Sequence, residues 1–315
     1  MAAHITSPNE PFPRPDHIAQ ATTSHRQGNF VISSRKLPIS KAGPIDAMEK
    51  SLGIPVPEMI FGDNLVAIRH APTGWGIEFN AYDALDAVDK TDRNMLKVAY
   101  AKSWSASREQ TSAGIKDVVK PYDWSYSTIY KGTVMSGEAV SGFLPPPGSS
   151  TVESTSDENT SSETTREKKP EGRNKLSFIP STKPIPIELL KRRDPILFFD
   201  EVMLYESELD DNGISILSVK VRVHEQRMLL LARLFMRLDN VLVRIRDTRV
   251  YVDFVAEEVT REYTVKEAEF ADVKRKLLMT GLIPDAITVA MRDANKIADL
   301  LPIVEQTLES ISLKS

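Results

Sequence analysis

Close pairs of acidic side chains are the residues of this sequence best suited to acid–base chemistry. The pairs are Glu58 with Asp63, Asp83 with Asp86, Asp200 with Glu201, and Glu206 with Glu208. Two neighbouring carboxylates can act as general acid and general base. The chain has 44 acidic residues, so such pairs also arise by chance, and their ordinary roles are to cap helices, form turns or face solvent. A carboxylate-based hydrolase therefore stays open as the weaker interpretation.

The sequence offers little to a metal ion or to a covalent mechanism. It contains no cysteine, which excludes disulfides, zinc–cysteine sites and thiol catalysis. Of the five histidines, only His70 and His224 lie beyond the N-terminal region, and neither has a second ligand at short spacing. Glycine-rich phosphate loops and the G-x-S-x-G motif are absent. We therefore predict no cofactor, no metal and no catalytic residue.

The composition indicates a protein with a substantial core and no strong electrostatic field. With 315 residues, 41% of them hydrophobic, the chain can form one large domain or two small ones. Forty basic residues stand against 44 acidic ones, a balance that attracts neither nucleic acid nor an anionic membrane. We see no secretory signal and no apolar run long enough to span a bilayer. We expect a cytoplasmic and also nuclear protein whose partner is another protein.

Two segments lack the apolar residues that a core needs. Residues 1–28 are polar and rich in proline, serine and threonine, and residues 145–175 are acidic and rich in serine and threonine. Ordering such segments costs conformational entropy that no burial repays. We predict a disordered tail at 1–28, and a single domain at 29–315 that a disordered insertion at about 145–175 interrupts.

The remaining sequence shows mainly the two-residue alternation of half-buried strands. Strands are predicted at Asn29–Lys36, Leu65–His70, Trp75–Phe79, Met95–Ala101, Tyr122–Met135, Ile196–Tyr205, Ile214–Val223, Met228–Arg237, Val241–Ile245 and Arg249–Phe254. Helices are predicted at Pro44–Leu52, Asn80–Val88, Val265–Met279, Asp285–Met291 and Pro302–Leu313. Strands and helices do not alternate regularly, which argues against a parallel sheet. We predict an α+β fold with antiparallel sheets packed as a sandwich-like core and peripheral helices.

Six sequence blocks, in order, carry a family resemblance. They are VPEMIFGDNLVAIRH at 56–70, GIEFNAYDALDAV at 76–88, KPYDWSYSTIYKGT at 120–133, LSVKVRV at 217–223, RIRDTRVY at 244–251 and REYT at 261–264. With these blocks the chain closely resembles the TIPRL family, the TIP-forty-one-like regulators of TOR signalling.

The resemblance implies a regulator that has no catalytic activity of its own. Members of the family bind the catalytic subunits of type 2A and related protein phosphatases. They act together with another phosphatase-associated chaperone and function in TOR nutrient signalling. The resemblance also implies antiparallel sheets flanked by helices, with a cleft that accepts the C-terminal tail of the phosphatase. A scaffold for unrelated partners is the alternative to this function.

The resemblance assigns partner-binding roles to four residues, and one more follows from the chemistry of a tail. The four are Asp83, Ile185, Ile245 and Asp247. A tail ends in a carboxylate, which arginine binds well. Arg249 is our candidate donor because it follows Asp247 by two residues on the same strand face. A surface arginine that merely pairs with Asp247 is the alternative, and we expect charge reversal at Asp247 to weaken binding without changing stability.

Overall fold

Two antiparallel sheets and a few short helices form the protein. The computed structural model describes residues 15–90, 122–135 and 176–314. The small sheet has the order β1-β2-β4-β5-β6, and the large sheet has the order β3-β8-β9-β10-β11-β12-β13-β7. This architecture confirms the predicted α+β class.

The strands and helices have the following bounds. The strands are β1 Thr22–Gln27, β2 Phe30–Arg35, β3 Met59–Ile60, β4 Leu65–His70, β5 Gly76–Asn80, β6 Thr133–Met135, β7 Ile179–Pro180, β8 Phe198–Ser207, β9 Gly213–Val223, β10 Arg227–Leu238, β11 Leu242–Asp253, β12 Glu258–Glu269 and β13 Ile303–Ser312. The helices are α1 Pro15–Gln20, α2 Ala42–Leu52, α3 Ala81–Asp86, α4 Ile187–Leu190, α5 Phe270–Met279, α6 Pro284–Ala290 and α7 Ala294–Ile297.

The centre of the large sheet is a meander of long strands, β8 to β12, joined by short turns. Alternating apolar residues in these strands match the pleat, so one face of each strand is almost fully buried. Asn240 has a φ of 63° in the turn between β10 and β11, a left-handed conformation that asparagine tolerates well.

The two sheets share one core, as the predicted sandwich requires. The small sheet contributes Phe30, Ile32, Ile68, Ile77 and Phe79, and the turn before β5 contributes Trp75. The large sheet contributes Val202, Leu204, Val219, Val221, Met228, Leu230, Val250 and Val252. The strands of the small sheet that approach the large sheet most closely are β2 and β4, which pass over β8. Burial of this apolar surface is the main favourable contribution to the stability of the fold.

A second core lies on the opposite face of the large sheet. There Phe235, Val243 and Ile245 pack beneath the short helices α5, α6 and α7. The helices contribute Val273, Leu277, Ile287, Ala290, Met291 and Ile297. The helices cover one end of this face. No helix in the described ranges is long and apolar enough to cross a membrane.

Three sequence predictions of secondary structure were wrong. The tail predicted at 1–28 is not disordered throughout, because α1 forms and β1 pairs with β2; a polar edge strand needs only backbone partners, so the sequence shows no alternation. The helix predicted at 302–313 is β13, which pairs with β12 and is rich in β-branched residues. Residues 122–132 form mainly a loop, where one or two strands were predicted.

Other predictions of elements were confirmed, were right only in part, or fall outside the described residues. The helix predicted at 80–88 is α3, and Asn80 caps it by accepting a hydrogen bond from the Asp83 backbone amide at 2.8 Å. The helix predicted at 265–279 was wrong for residues 265–269, which belong to β12, and it begins at Phe270. The strands predicted at 241–245 and 249–254 are parts of one continuous strand, β11. The strand predicted at 95–101 and the insertion at 145–175 lie outside the described residues.

His70 is a buried histidine at the end of β4. It is 1% exposed, its Nδ1 lies 2.9 Å from Thr73 Oγ1, and its Nε2 lies 3.7 Å from a carboxylate oxygen of Glu257. Burial lowers the pKa of the imidazole below 6.5, while the nearby charge of Glu257 opposes the change. The folded protein therefore holds His70 in its neutral form at neutral pH.

The buried His70 predicts that acid weakens the fold. The pKa of His70 is lower in the folded than in the unfolded state. Its contribution to the free energy of unfolding is therefore complete above about pH 6.5 and is lost as pH falls below that value. Urea midpoints of the wild-type protein and of His70→Gln, compared at about pH 7 and about pH 5.5, test this. The variant should lose less stability on acidification, and an equal loss in both proteins would contradict the prediction.

Candidate partner-binding face

The face of the large sheet that points away from the small sheet, hereafter the outer face, carries a row of charged residues. Residues of β10 and β11 alternate between the shared core and this face, so Leu231, Arg233, Asp247 and Arg249 lie on it together. Glu262 of β12 pairs with Arg249 in register and extends the row. The alternation of the strands thus places charges beside the second core.

Asp247 is the centre of this row and is only 1% exposed. Arg233 binds it with two hydrogen bonds, Nε to Oδ1 and Nη2 to Oδ2, both of 2.7 Å. Arg249 Nη2 donates a third bond to Oδ2 at 3.1 Å. Burial disfavours the charged guanidinium of Arg233, but its bonds to Asp247 and the negative charge there outweigh this effect and raise its pKa. The carboxylate is thus fully used within the protein.

Arg249 and Arg233 connect this pair to neighbouring elements. Arg249 Nη1 donates to Glu262 Oε2 at 3.0 Å, and Glu262 Oε1 accepts a bond of 2.8 Å from Gln306 Nε2 of β13. Arg233 Nη1 donates to Asn295 Oδ1 of α7 at 2.8 Å. We call the four residues Arg233, Asp247, Arg249 and Glu262 the charged ladder; two positive and two negative charges cancel within it.

The charged ladder lies in a trough, and other segments of the chain form the two ends of this trough. At one end α5 to α7 cover the sheet. At the other end, Arg227 donates to the Leu189 carbonyl oxygen at 2.7 Å and also binds Asp194, which fixes the α4 segment across the strands. Half-buried Leu229 and Leu231 lie between the two ends, and Phe199 of β8 is 52% exposed on the same face. The trough therefore combines these apolar side chains with the partly exposed side chain of Arg249.

The structure places three of the predicted partner-binding residues on one strand face, but their side chains differ in exposure. Asp247 and Arg249 share the outer face of β11, as predicted from their spacing, and Ile245 lies on the same face. Ile245 is 1% exposed beneath the helices, so a partner reaches it only if α5 to α7 move. Arg249 pairs with Asp247, as the alternative interpretation required, but its side chain keeps 25% exposure.

Ile185 and Asp83 lie elsewhere. Ile185 is 4% exposed, in the segment between Lys183, which binds Glu258, and α4. The Asp83 carboxylate accepts hydrogen bonds from Asn80 Nδ2 at 2.9 Å and from Thr133 Oγ1. It thereby ties α3 to β6 at the small sheet, on the other side of the large sheet from the ladder. One small contact area cannot include both Asp83 and Asp247, and their roles in binding stay predictions.

The acidic pair Asp200 and Glu201 does not share a site, because the two side chains point to opposite faces of the large sheet. Asp200 points toward the shared core, where burial raises its pKa but hydrogen bonds from Lys36 and Ser34 outweigh burial and lower it overall. Its neighbour Glu201 points to the outer face and pairs with Lys220 at 3.0 Å. No group of three or more potential metal ligands occurs in the part of the chain that the structure describes.

Sequence reasoning missed the residues that complete the trough, namely Arg233, Glu262, Leu229 and Leu231. Arg233, Leu229 and Leu231 lie on the strand predicted at 228–237, whereas Glu262 lies on β12, which the sequence did not predict as a strand. Only the register shows that Arg233 faces Asp247 and that Glu262 faces Arg249. The REYT block at 261–264 contains Glu262 and was one available signal.

Comparison with known proteins identifies the family. The TIP41-like family matches residues 59–274. A TIP41-like protein of Homo sapiens is 36% identical over 293 residues, covering 92% of this chain and 90% of the relative. The type 2A phosphatase activator TIP41 of Saccharomyces cerevisiae is 35% identical over 324 residues, covering 98% and 80%. The type 2A phosphatase activator tip41 of Schizosaccharomyces pombe is 28% identical over 254 residues, covering 80% and 84%. With this extent of similarity, the chain belongs to the TIP41-like family.

Proposed function

We propose that this protein regulates a type 2A protein phosphatase by binding its catalytic subunit, without catalysis of its own. Two of the similar fungal proteins carry the name type 2A phosphatase activator. Two of the candidate carboxylates form structural bonds: Asp200 with Ser34 and Lys36, and Asp83 with Asn80 and Thr133. A role in TOR signalling, a cytoplasmic and nuclear location, and cooperation with a second phosphatase chaperone are further parts of this proposal.

The trough on the outer face is our candidate site for the phosphatase tail. The observation that carries it is the partly exposed Arg249 beside half-buried Leu231, its cross-strand neighbour. Arginine has five N–H donors, and the bonds to Asp247 and Glu262 use only two of them. The remaining donors can bind the terminal carboxylate of a tail, while Leu229, Leu231 and Phe199 accept its apolar side chains.

Replacing Arg249 by glutamine tests this site with little damage to the fold. Asp247 keeps both bonds from Arg233 in the variant, so we expect a stability loss of no more than about 1 kcal/mol. Loss of a charge-assisted bond should weaken binding of a purified type 2A catalytic subunit by about tenfold. Surface-immobilised protein and soluble catalytic subunit, measured by biolayer interferometry, give the dissociation constant.

Matched controls distinguish the site from a general charge effect. Arg26→Gln removes an exposed arginine of the small sheet and should leave binding unchanged. A catalytic subunit without its tail should bind the wild-type protein and Arg249→Gln equally weakly. Equal binding of full-length subunit to wild type and Arg249→Gln would reject the trough as the tail site. No binding to any type 2A subunit would reject the proposed function and favour a scaffold for other partners.

A direct assay tests the absence of catalysis. The purified chain, freed of copurifying phosphatase, should hydrolyse no phosphoester substrate. Activity that persists after this step and disappears in Asp83→Asn would support the hydrolase interpretation instead.

A further inference from the structure

A pocket outside the trough combines aromatic walls with two carboxylates. It has a volume of about 410 Å³ and lies where the loop 122–126 meets the segment before β3 and the turn after β8. Tyr122, Trp124, Tyr126 and Leu209 form its apolar part, and Glu58 and Asp210 are its charged residues. The pocket contains residues of the KPYDW block, and these residues lie outside the trough.

The aromatic part is built into the fold. Tyr122, Trp124 and Tyr126 are each 5–6% exposed, and the ring centroids of Tyr122 and Tyr126 are 6.0 Å apart. Tyr205 OH donates a hydrogen bond to the Tyr126 carbonyl oxygen at 3.0 Å. This bond holds Tyr126 at a left-handed φ of 54°, a conformation that is costly for a bulky residue. The rings are therefore fixed before any ligand arrives.

The charge of the pocket is negative. Glu58 is exposed and has no hydrogen bond or ion pair with any residue in the described ranges. Asp210 is also exposed, but Asp210 and Trp124 take part in further interactions, so we assign the electrostatic role to Glu58. Burial is the main cause that raises the pKa of the Tyr126 hydroxyl, the interaction with Tyr122 comes next, and the charges of Glu58 and Asp210 add to the effect.

We propose that this pocket binds a cationic lysine or arginine side chain of a protein partner. A cation is attracted to the faces of tyrosine and tryptophan rings, and a carboxylate at the rim adds an opposite charge. Apolar walls accept the aliphatic stem of either side chain. The proposal does not depend on whether the partner is a phosphatase, because its test uses the isolated protein and small probes.

The test is a titration followed by nuclear magnetic resonance. The protein has three tryptophans, so the indole N–H signal of Trp124 is assigned as the one missing in Trp124→Phe. The probes are N-acetyl-lysine methylamide, N-acetyl-arginine methylamide and the neutral N-acetyl-norleucine methylamide. We expect a cationic probe to shift the Trp124 signal and the norleucine probe to leave it in place. Glu58→Gln should raise the dissociation constant of the cationic probe by at least about threefold.

Glu225→Gln is the matched control, since Glu225 is likewise exposed but lies outside the pocket; it should bind the probe as the wild-type protein does. Glu58 is at the surface, so its variant should fold, and equal melting temperatures check this. The proposal is overturned if the norleucine probe binds as tightly as the lysine and arginine probes, or if Glu58→Gln binds the cationic probe as tightly as Glu225→Gln does. It is also overturned if no probe, added up to the limit of its solubility, moves the Trp124 signal.

Discussion

Asp247→Ala should unfold at markedly lower urea concentration than the wild-type protein, with a stability loss of about 3 kcal/mol. The variant leaves Arg233 and Arg249 without the carboxylate that accepts three of their hydrogen bonds. Asp247 itself is 1% exposed, so water cannot fully replace the lost bonds. This expectation corrects our view from the sequence that charge reversal at this position would leave stability unchanged.

Asp299→Ala is the control for this prediction. Asp299 has a side chain that is 99% exposed and lies 3.9 Å from Lys266, so its loss should change stability by less than about 0.5 kcal/mol. Equal urea midpoints for Asp247→Ala and Asp299→Ala would show that the ladder contributes little to the fold. If Asp247→Ala is destabilised as expected, a loss of phosphatase binding in this variant does not show that Asp247 contacts the phosphatase. Arg249→Gln is therefore the variant that tests binding at the trough.

Gly213→Ala should be at least as damaging, with a cost of about 3 kcal/mol or more. Gly213 begins β9 and pairs with Leu238 of β10. An added Cβ would lie 1.9 Å from the Arg237 carbonyl oxygen, which is a backbone atom in a strand held between two neighbours. Because β10 cannot shift without disturbing both cores, we expect loss of soluble protein or a large drop in melting temperature.

Gly43→Ala provides the comparison. Gly43 lies near the start of α2, and an added Cβ there meets nothing within 4 Å. Alanine favours helix over glycine by up to about 1 kcal/mol, so this variant should be as stable as the wild-type protein or slightly more stable. A melting temperature for Gly213→Ala as high as that of Gly43→Ala would mean that the start of β9 relaxes easily, contrary to the structure.

The sequence by itself determined the class of the fold and most of the strands. Alternation of apolar residues is a local property, so Val219, Val221 and Val223 predicted a buried face that the structure confirms, with each side chain 0% exposed. The cap of α3 by Asn80 was readable for the same reason, since its partner is three residues away. The six sequence blocks were enough to identify the family.

Only the tertiary structure decided which elements meet. Whether residues 303–312 form a helix or a strand depended on the free edge of β12, whose paired residues lie 37 to 54 positions earlier in the sequence. Ile245 and Arg249 lie on the same strand face, yet the helices α5 to α7 bury the first and leave the second partly exposed. The bonds between Arg233 and Asp247 likewise depend on the register of β10 against β11. Burial and pairing across strands are non-local, and spacing within one segment does not specify them.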